Sequence, residues 1–166
     1  MNHLAAKFGP FYPKDVAKLE LVRVRSFDAC GRIQNDLAGK FALIQRGNCN
    51  FAYKVLQAQD AHAKAVIVMD TEHRVNNTWV LQMVGDAGNS SRIVIPSVFV
   101  SHAIGLRLLE RIEAMKLAGM SALVTVNATG QINIKDKSND IAKQNIILIL
   151  FGIFTIVLAH WLRIGT

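Results

Sequence analysis

Cysteine is scarce in this chain. Cys30 and Cys49 are the two that occur among 166 residues. Two cysteines cannot complete an all-cysteine structural zinc site, and neither His62 nor His73 stands at the short ligand spacing that would recruit them to one. Composition leaves the pair as free thiols, a partial metal site, or a bridge between the loops flanking one apolar run. Catalytic signatures are missing too. There is no HExxH, no P-loop and no GxGxxG, and Gly88-Asn89-Ser90-Ser91-Arg92 lacks the second glycine of a nucleophile elbow. No catalytic residue, metal ligand set or cofactor is therefore expected. The best remaining cluster is Asp70, Glu72 and His73. Adjacent residues on an extended segment point to opposite faces, so this reads as a solvated loop. His62 and His102, at predicted helix ends, read as surface or capping residues.

Long basic runs are also absent. The net charge is +7, but the basic residues are scattered from Lys7 to Lys143 with acids between them. No basic strand is interleaved with aromatics. This pattern describes a solvated mixed surface and argues against nucleic acid as a partner. Residues 1–9 contain no apolar core of a secretory signal.

Apolar residues make up 51% of the chain, unevenly distributed. Residues 146–162 are interrupted only by Gly152, Thr155 and His160, a length at the short end of the roughly 17–25 residues a membrane helix needs. Trp161 and Arg163 suit an interfacial anchor. The expected layout is a domain over 1–130, a polar stalk over 131–145, a membrane helix over 146–162 and a short tail over 163–166. A buried helix, or a tail exchanged for a lipid anchor, is the alternative for the apolar run. Three sequons, at Asn76, Asn89 and Asn127, fall in predicted loops or at a strand edge, where a glycan is tolerated.

The pattern of the first 130 residues gives the elements. Residues 19–25 alternate with period two, as a half-buried strand does. Residues 41–45, 66–69 and 94–100 are further strands, and Pro96 suggests an edge or a bend. Asn50 caps a helix with Phe51, Val55 and Ala58 on one face. Ser101 caps a second, with Ile104, Leu108, Ile112 and Met115 inward and Gly119 near its end. Residues 70–91 read as a polar excursion with at most a short helix over 81–84. Residues 123–126 form a closing strand. Few connections look long enough for a doubly wound sheet, so the fold class is α+β: a small open β-barrel or sandwich flanked by two helices.

The polar turn after the first apolar run reads Arg46-Gly47-Asn48-Cys49-Asn50-Phe51. This resembles the RGxCxF hallmark of the protease-associated (PA) domain family. Asp28-Ala29-Cys30, the AKAVIV run over 63–68 and the IPSVF run over 95–99 match the family's neighbouring segments in order. The resemblance covers roughly residues 8–129. It implies that Cys30 and Cys49 are bridged, and that the chain is a binding or sorting module of the secretory pathway without catalysis of its own. Arg46, Asn48 and Phe51 are then candidate contacts for a protein or peptide ligand. Arg46 and Asn48 suit the satisfaction of loop carbonyls equally well. The expected placement is in a membrane with the domain facing the lumen or extracellular side. Lys135, Lys137 and Lys143 before the apolar run, with Arg163 after it, favour the alternative of a tail anchor with a cytosolic domain. A second functional reading is a fragment of a membrane ubiquitin ligase or a peptidase whose catalytic part lies outside these residues.

Overall fold

A computed structural model describes residues 3–10, 15–74, 79–127 and 132–135. They belong to one compact unit, Met1–Lys135. Among the described residues, seven strands form a single mixed sheet in the order β1-β5-β4-β3-β2-β6-β7. They are β1 (Leu4–Ala5), β2 (Asp15–Arg23), β3 (Phe41–Gln45), β4 (Ala65–Met69), β5 (Ser97–Val100), β6 (Leu123–Asn127) and β7 (Ile132–Lys135). Strands β2 to β5 run parallel. β1 is antiparallel to β5, and β6 and β7 extend the other side antiparallel. β2 carries both halves: Asp15, Val16, Leu19 and Glu20 pair with β6, with a register shift between Val16 and Leu19, and then Leu21, Val22 and Arg23 pair with β3. A bulge of this kind bends a strand and increases its twist. The sheet accordingly curls into a half-barrel.

The apolar runs are continuous because parallel strands are covered on both faces. Helix α1 (Phe51–Asp60) covers one face and helix α2 (His102–Leu117) the other. Alternate residues divide between them. Ala42, Ile44, Val66, Val68 and Phe99 pack with Val55, Leu56 and Ala58 of α1. Phe41, Leu43, Ile67, Met69, Val98 and Val100 pack with Ile104 and Leu108 of α2. Both helices start at the expected caps. The Tyr53 amide donates to Asn50 Oδ1 at 3.0 Å, and the Ile104 amide to Ser101 Oγ at 3.4 Å. Gly119, at φ +67°, takes the left-handed conformation that ends α2.

The α+β architecture with two flanking helices matches the sequence reading, and three local expectations are corrected. β5 begins at Ser97, not Val94, and lies between β1 and β4. Pro96 lacks an amide but still joins the sheet, because its carbonyl accepts from the Val66 amide at 3.1 Å. Residues 81–84 are not helical. Met83 is fully buried, and its carbonyl accepts from the Lys7 amide at 3.0 Å. Helix in the described part of the 70–91 excursion begins at its end, with the short 3-10 turn Ser90–Arg92. Residues 132–135, expected to begin a stalk, form β7 with Ile132 buried. The expected membrane helix over 146–162 lies outside the described residues. Among those described, no helix is long and apolar enough to cross a membrane.

Candidate functional site

The carboxyl ends of β3, β4 and β5 lie along one edge of the sheet, the place where open parallel sheets expose their binding crevices. β3 delivers Arg46 and the turn that follows. Gly47 and Asn48 have φ of +117° and +62°, and the Cys49 amide donates to Gly47 O at 2.8 Å. This tight reversal places Cys49 opposite Cys30, to which it is disulfide-bonded with a Cα–Cα distance of 5.7 Å. The bridge implied by the family resemblance is therefore present. Closing a loop of this length stabilises the fold by roughly 3 kcal/mol in the chain-entropy model.

The three candidate ligand contacts are all engaged within the chain. Arg46 Nη1 donates to Asp70 Oδ1 at 3.0 Å and lies 3.5 Å from Glu72 Oε1. Asn48 Nδ2 donates to Asp28 Oδ2 at 2.7 Å. Phe51 meets Phe99 edge-on, with centroids 6.0 Å apart. What these contacts leave open is a cleft of about 490 Å³ between the 27–28 segment, the turn and Thr71, lined by Phe27, Asp28, Gln45, Gly47 and Asn48 among others.

Asp70 is not solvated, as the sequence reading had it. It is 1% exposed and held between Arg46 and Arg74, whose Nε donates to Oδ2 at 3.1 Å. Thr71 and Glu72 amides also donate to it, at 2.9 and 3.4 Å. Burial alone would raise its carboxyl. Donation from Arg46, Arg74 and the Glu72 amide outweighs that and holds it below the usual carboxylate range. Arg74 also pairs with Glu72 at 2.7 Å and lies 3.8 Å above the Trp79 ring. His102, expected at the surface or as a cap, has Nδ1 3.0 Å from the Asp70 carbonyl. The residual space in this cluster is about 10 Å³, room for one water at most. A substrate does not fit there. No group of three metal-ligating side chains occurs among the described residues.

Two residues to which the sequence reading gave no role, Lys54 and Asp28, contact Cys30 of the bridge. Lys54 on α1 is fully buried; its ammonium donates to the Asp28 carbonyl and stands 3.2 Å from Cys30 Sγ. Burial pushes it below the usual lysine value, opposed by the Asp28 charge. The Asp28 carboxyl is held below its usual range by Asn48 and the Cys30 amide. A lysine in the middle of an amphipathic helix gives no sequence signal of burial unless its place among Val55, Leu56 and Ala58 is weighed. Of the sequon asparagines, Asn89 donates through Nδ2 to Asp86 at 3.0 and 3.1 Å. Asn76 lies outside the described residues. Asn127 is the last residue of β6, paired in register with Asp15.

Comparison with known proteins places these features. The PA domain family matches residues 17–108. The E3 ubiquitin-protein ligase Godzilla of Drosophila melanogaster is 37% identical over 115 residues, covering 64% of this chain and 20% of the ligase. Receptor homology region, transmembrane domain- and RING domain-containing protein 1 of Oryza sativa subsp. japonica is 44% identical over 82 residues, covering 47% of this chain and 14% of that protein. Among solved structures, an aminopeptidase from Aneurinibacillus sp. strain AM-1 superposes with a TM-score of 0.53 at 31% identity, covering 81% of this chain and 29% of the enzyme. The chain thus spans less than a third of each of these three proteins.

Proposed function

The chain belongs to the PA domain family, and from that premise we propose that it is a non-catalytic, membrane-tethered module. It holds a protein or peptide segment on the lumenal or extracellular side of the secretory and endosomal system. The observation that carries this is the bridged turn. Arg46, Asn48 and Cys49 are each fixed to the body of the domain by contacts within the chain, and the open cleft lies beside them. A preorganised cleft binds with less loss of freedom than a mobile one. The disulfide supports the lumenal reading, since such bridges persist in oxidising compartments. The membrane tether rests on residues 146–162, and glycans at Asn76, Asn89 or Asn127 go with the same placement. Residues 81–86 and 121–129 look most like the small PA domain-containing protein 1, a further part of the proposal.

A second reading is that the chain is the PA portion of a ligase or peptidase. It is favoured by the names of the relatives and the small share of each that the chain covers. Proximity labelling with a tagged full chain in its native cell tests the first reading. Biotinylation of lumenal proteins supports it; biotinylation confined to cytosolic proteins contradicts it. A longer transcript encoding a RING or peptidase domain would decide for the second.

A further inference from the structure

Lys54 carries a positive charge into the interior with no carboxylate in direct contact, although the Asp28 charge acts on it from beyond ion-pair distance. Among the described residues its ammonium forms no ion pair within 4.0 Å; it meets the Asp28 carbonyl and, at 3.2 Å, Cys30 Sγ. Asp28 spends its carboxylate elsewhere, on the Cys30 amide at 3.1 Å and Asn48 Nδ2 at 2.7 Å. A buried ammonium is costly unless an anion accompanies it. The disulfide sulfur is a weak, neutral acceptor. A Cys30 thiolate in the same place is an anion in direct contact with that ammonium. Opening the bridge therefore strengthens the Lys54 contact, and on one sulfur of the two.

We propose that Cys49 is a thiol-exchange site that accepts a small-molecule thiol of the glutathione class, with Cys30 as the leaving group. The thiolate attacks Cys49 Sγ, a bond forms between the two sulfurs, and the Cys30–Cys49 bond breaks. Its electron pair goes to Cys30, whose thiolate is held by the Lys54 ammonium. The products are a mixed disulfide on Cys49 and an anionic Cys30. A second thiol can then take over the first, releasing the small-molecule disulfide and leaving the Cys30, Cys49 dithiol; the thiol pool is the reductant. The direction follows from charge. Attack on Cys30 would place the leaving thiolate on Cys49, one sulfur further from Lys54, whose ammonium hydrogen-bonds Cys30 Sγ. Both cysteines are half-buried, and neither is sealed in the core. Exchange is faster when the leaving thiol has a low pKa, and a neighbouring ammonium lowers it. The consequence is local. The bridge ties the 27–28 segment to Gly47 and Asn48, which are two walls of the open cleft. Exchange at Cys49 removes the covalent tie and leaves these walls joined by hydrogen bonds such as Asn48 to Asp28 and Gln45 to Phe27.

The test uses the oxidised full chain in glutathione buffer, quenched with an alkylating reagent and mapped by mass spectrometry. Glutathione is expected on Cys49. In the reduced, folded chain Cys30 is expected to alkylate at a pH about one unit or more below an ordinary cysteine, with Cys49 near the ordinary value. Lys54→Met should slow reduction about tenfold. Glutathione on Cys30, or identical pH profiles for the two thiols, overturns the proposal. If Lys54→Met does not fold, the adduct position and the Cys30 profile in the unsubstituted chain decide alone.

Discussion

The Arg46 guanidinium lies 3.0 Å from a carboxylate oxygen of Asp70, a residue only 1% exposed. This pair joins the turn after β3 to the end of β4 and fixes the motif arginine as a structural brace. The side chain that a sequence reader singles out as a ligand contact is the one that holds the cleft's rim in place.

Arg46→Ala leaves Asp70 with Arg74 as its cation. Breaking a wholly buried pair costs roughly 3–5 kcal/mol, and a surface pair is worth roughly 0–1. Arg46 is 30% exposed. The expected loss is intermediate, about 2 kcal/mol, read as a lowered urea midpoint with an unchanged slope. Arg46→Lys should recover only part of it, because a single ammonium does not reproduce the planar guanidinium that faces both Asp70 and Glu72.

Acid should weaken the fold through the same carboxylates. Asp70 and Asp28 both titrate below the usual 3.8 when folded. A depressed folded value means that the unfolded chain binds the proton first. The stability they contribute is fully present above 3.8 and is lost as pH falls through the lower, folded values. Urea midpoints between about pH 7 and 2 should be level at first and then fall steeply. Asp70→Asn should start lower and fall less steeply.

Gly105, on the inner face of α2, has no room for a methyl group. A Cβ there would stand 2.5 Å from Met69 Cβ, an atom no rotamer change can move. Alanine gains about 1 kcal/mol in helix propensity. Overpacking of this kind costs roughly 1–3 kcal/mol, and more where backbone must shift. Gly105→Ala should therefore lower the melting temperature despite the better helix former.

Ser97 opens β5 with its hydroxyl buried and without a hydrogen-bond partner among the described residues. An unmet buried hydroxyl costs roughly 1–3 kcal/mol. Ser97→Ala removes that cost and leaves only a small gap. Thermal unfolding should show it as stable as the native chain, or up to about 1 kcal/mol more so.

The elements were largely legible because local chemistry marks them. The β3 and β4 runs announce strands buried on both faces, and Asn50 and Ser101 announce helix starts by the hydrogen bonds they later make. The Arg46-Gly47-Asn48-Cys49 turn was legible as a motif, but not its partners. Asp28 and Asp70 lie 20 and 24 residues from the side chains they receive. Nothing near Asp70 in sequence says that β4 ends beside β3, so a carboxylate between Glu72 and the end of an apolar run read as solvated. β7 was hidden for a different reason: it pairs with its sequence neighbour β6, but it is short, and Ile132 and Ile134 alternate with only two polar residues, Asn133 and Lys135. Pro96 marked the bend that precedes β5, and it still serves the sheet. A missing amide matters only where the sheet needs a donor, and there it needs the Pro96 carbonyl.

The central claim is that the open cleft beside the bridged turn is where a protein or peptide segment is held. Photo-crosslinking from that cleft tests it most directly. A photoreactive residue at Gln45 or Thr71, both cleft-lining, is compared with one at Leu117, which is 89% exposed on the far end of α2. In the native cell, the account predicts a discrete set of adducts from positions 45 and 71 that is absent from position 117. Adducts that are the same from all three positions, or that arise from 117 alone, contradict it.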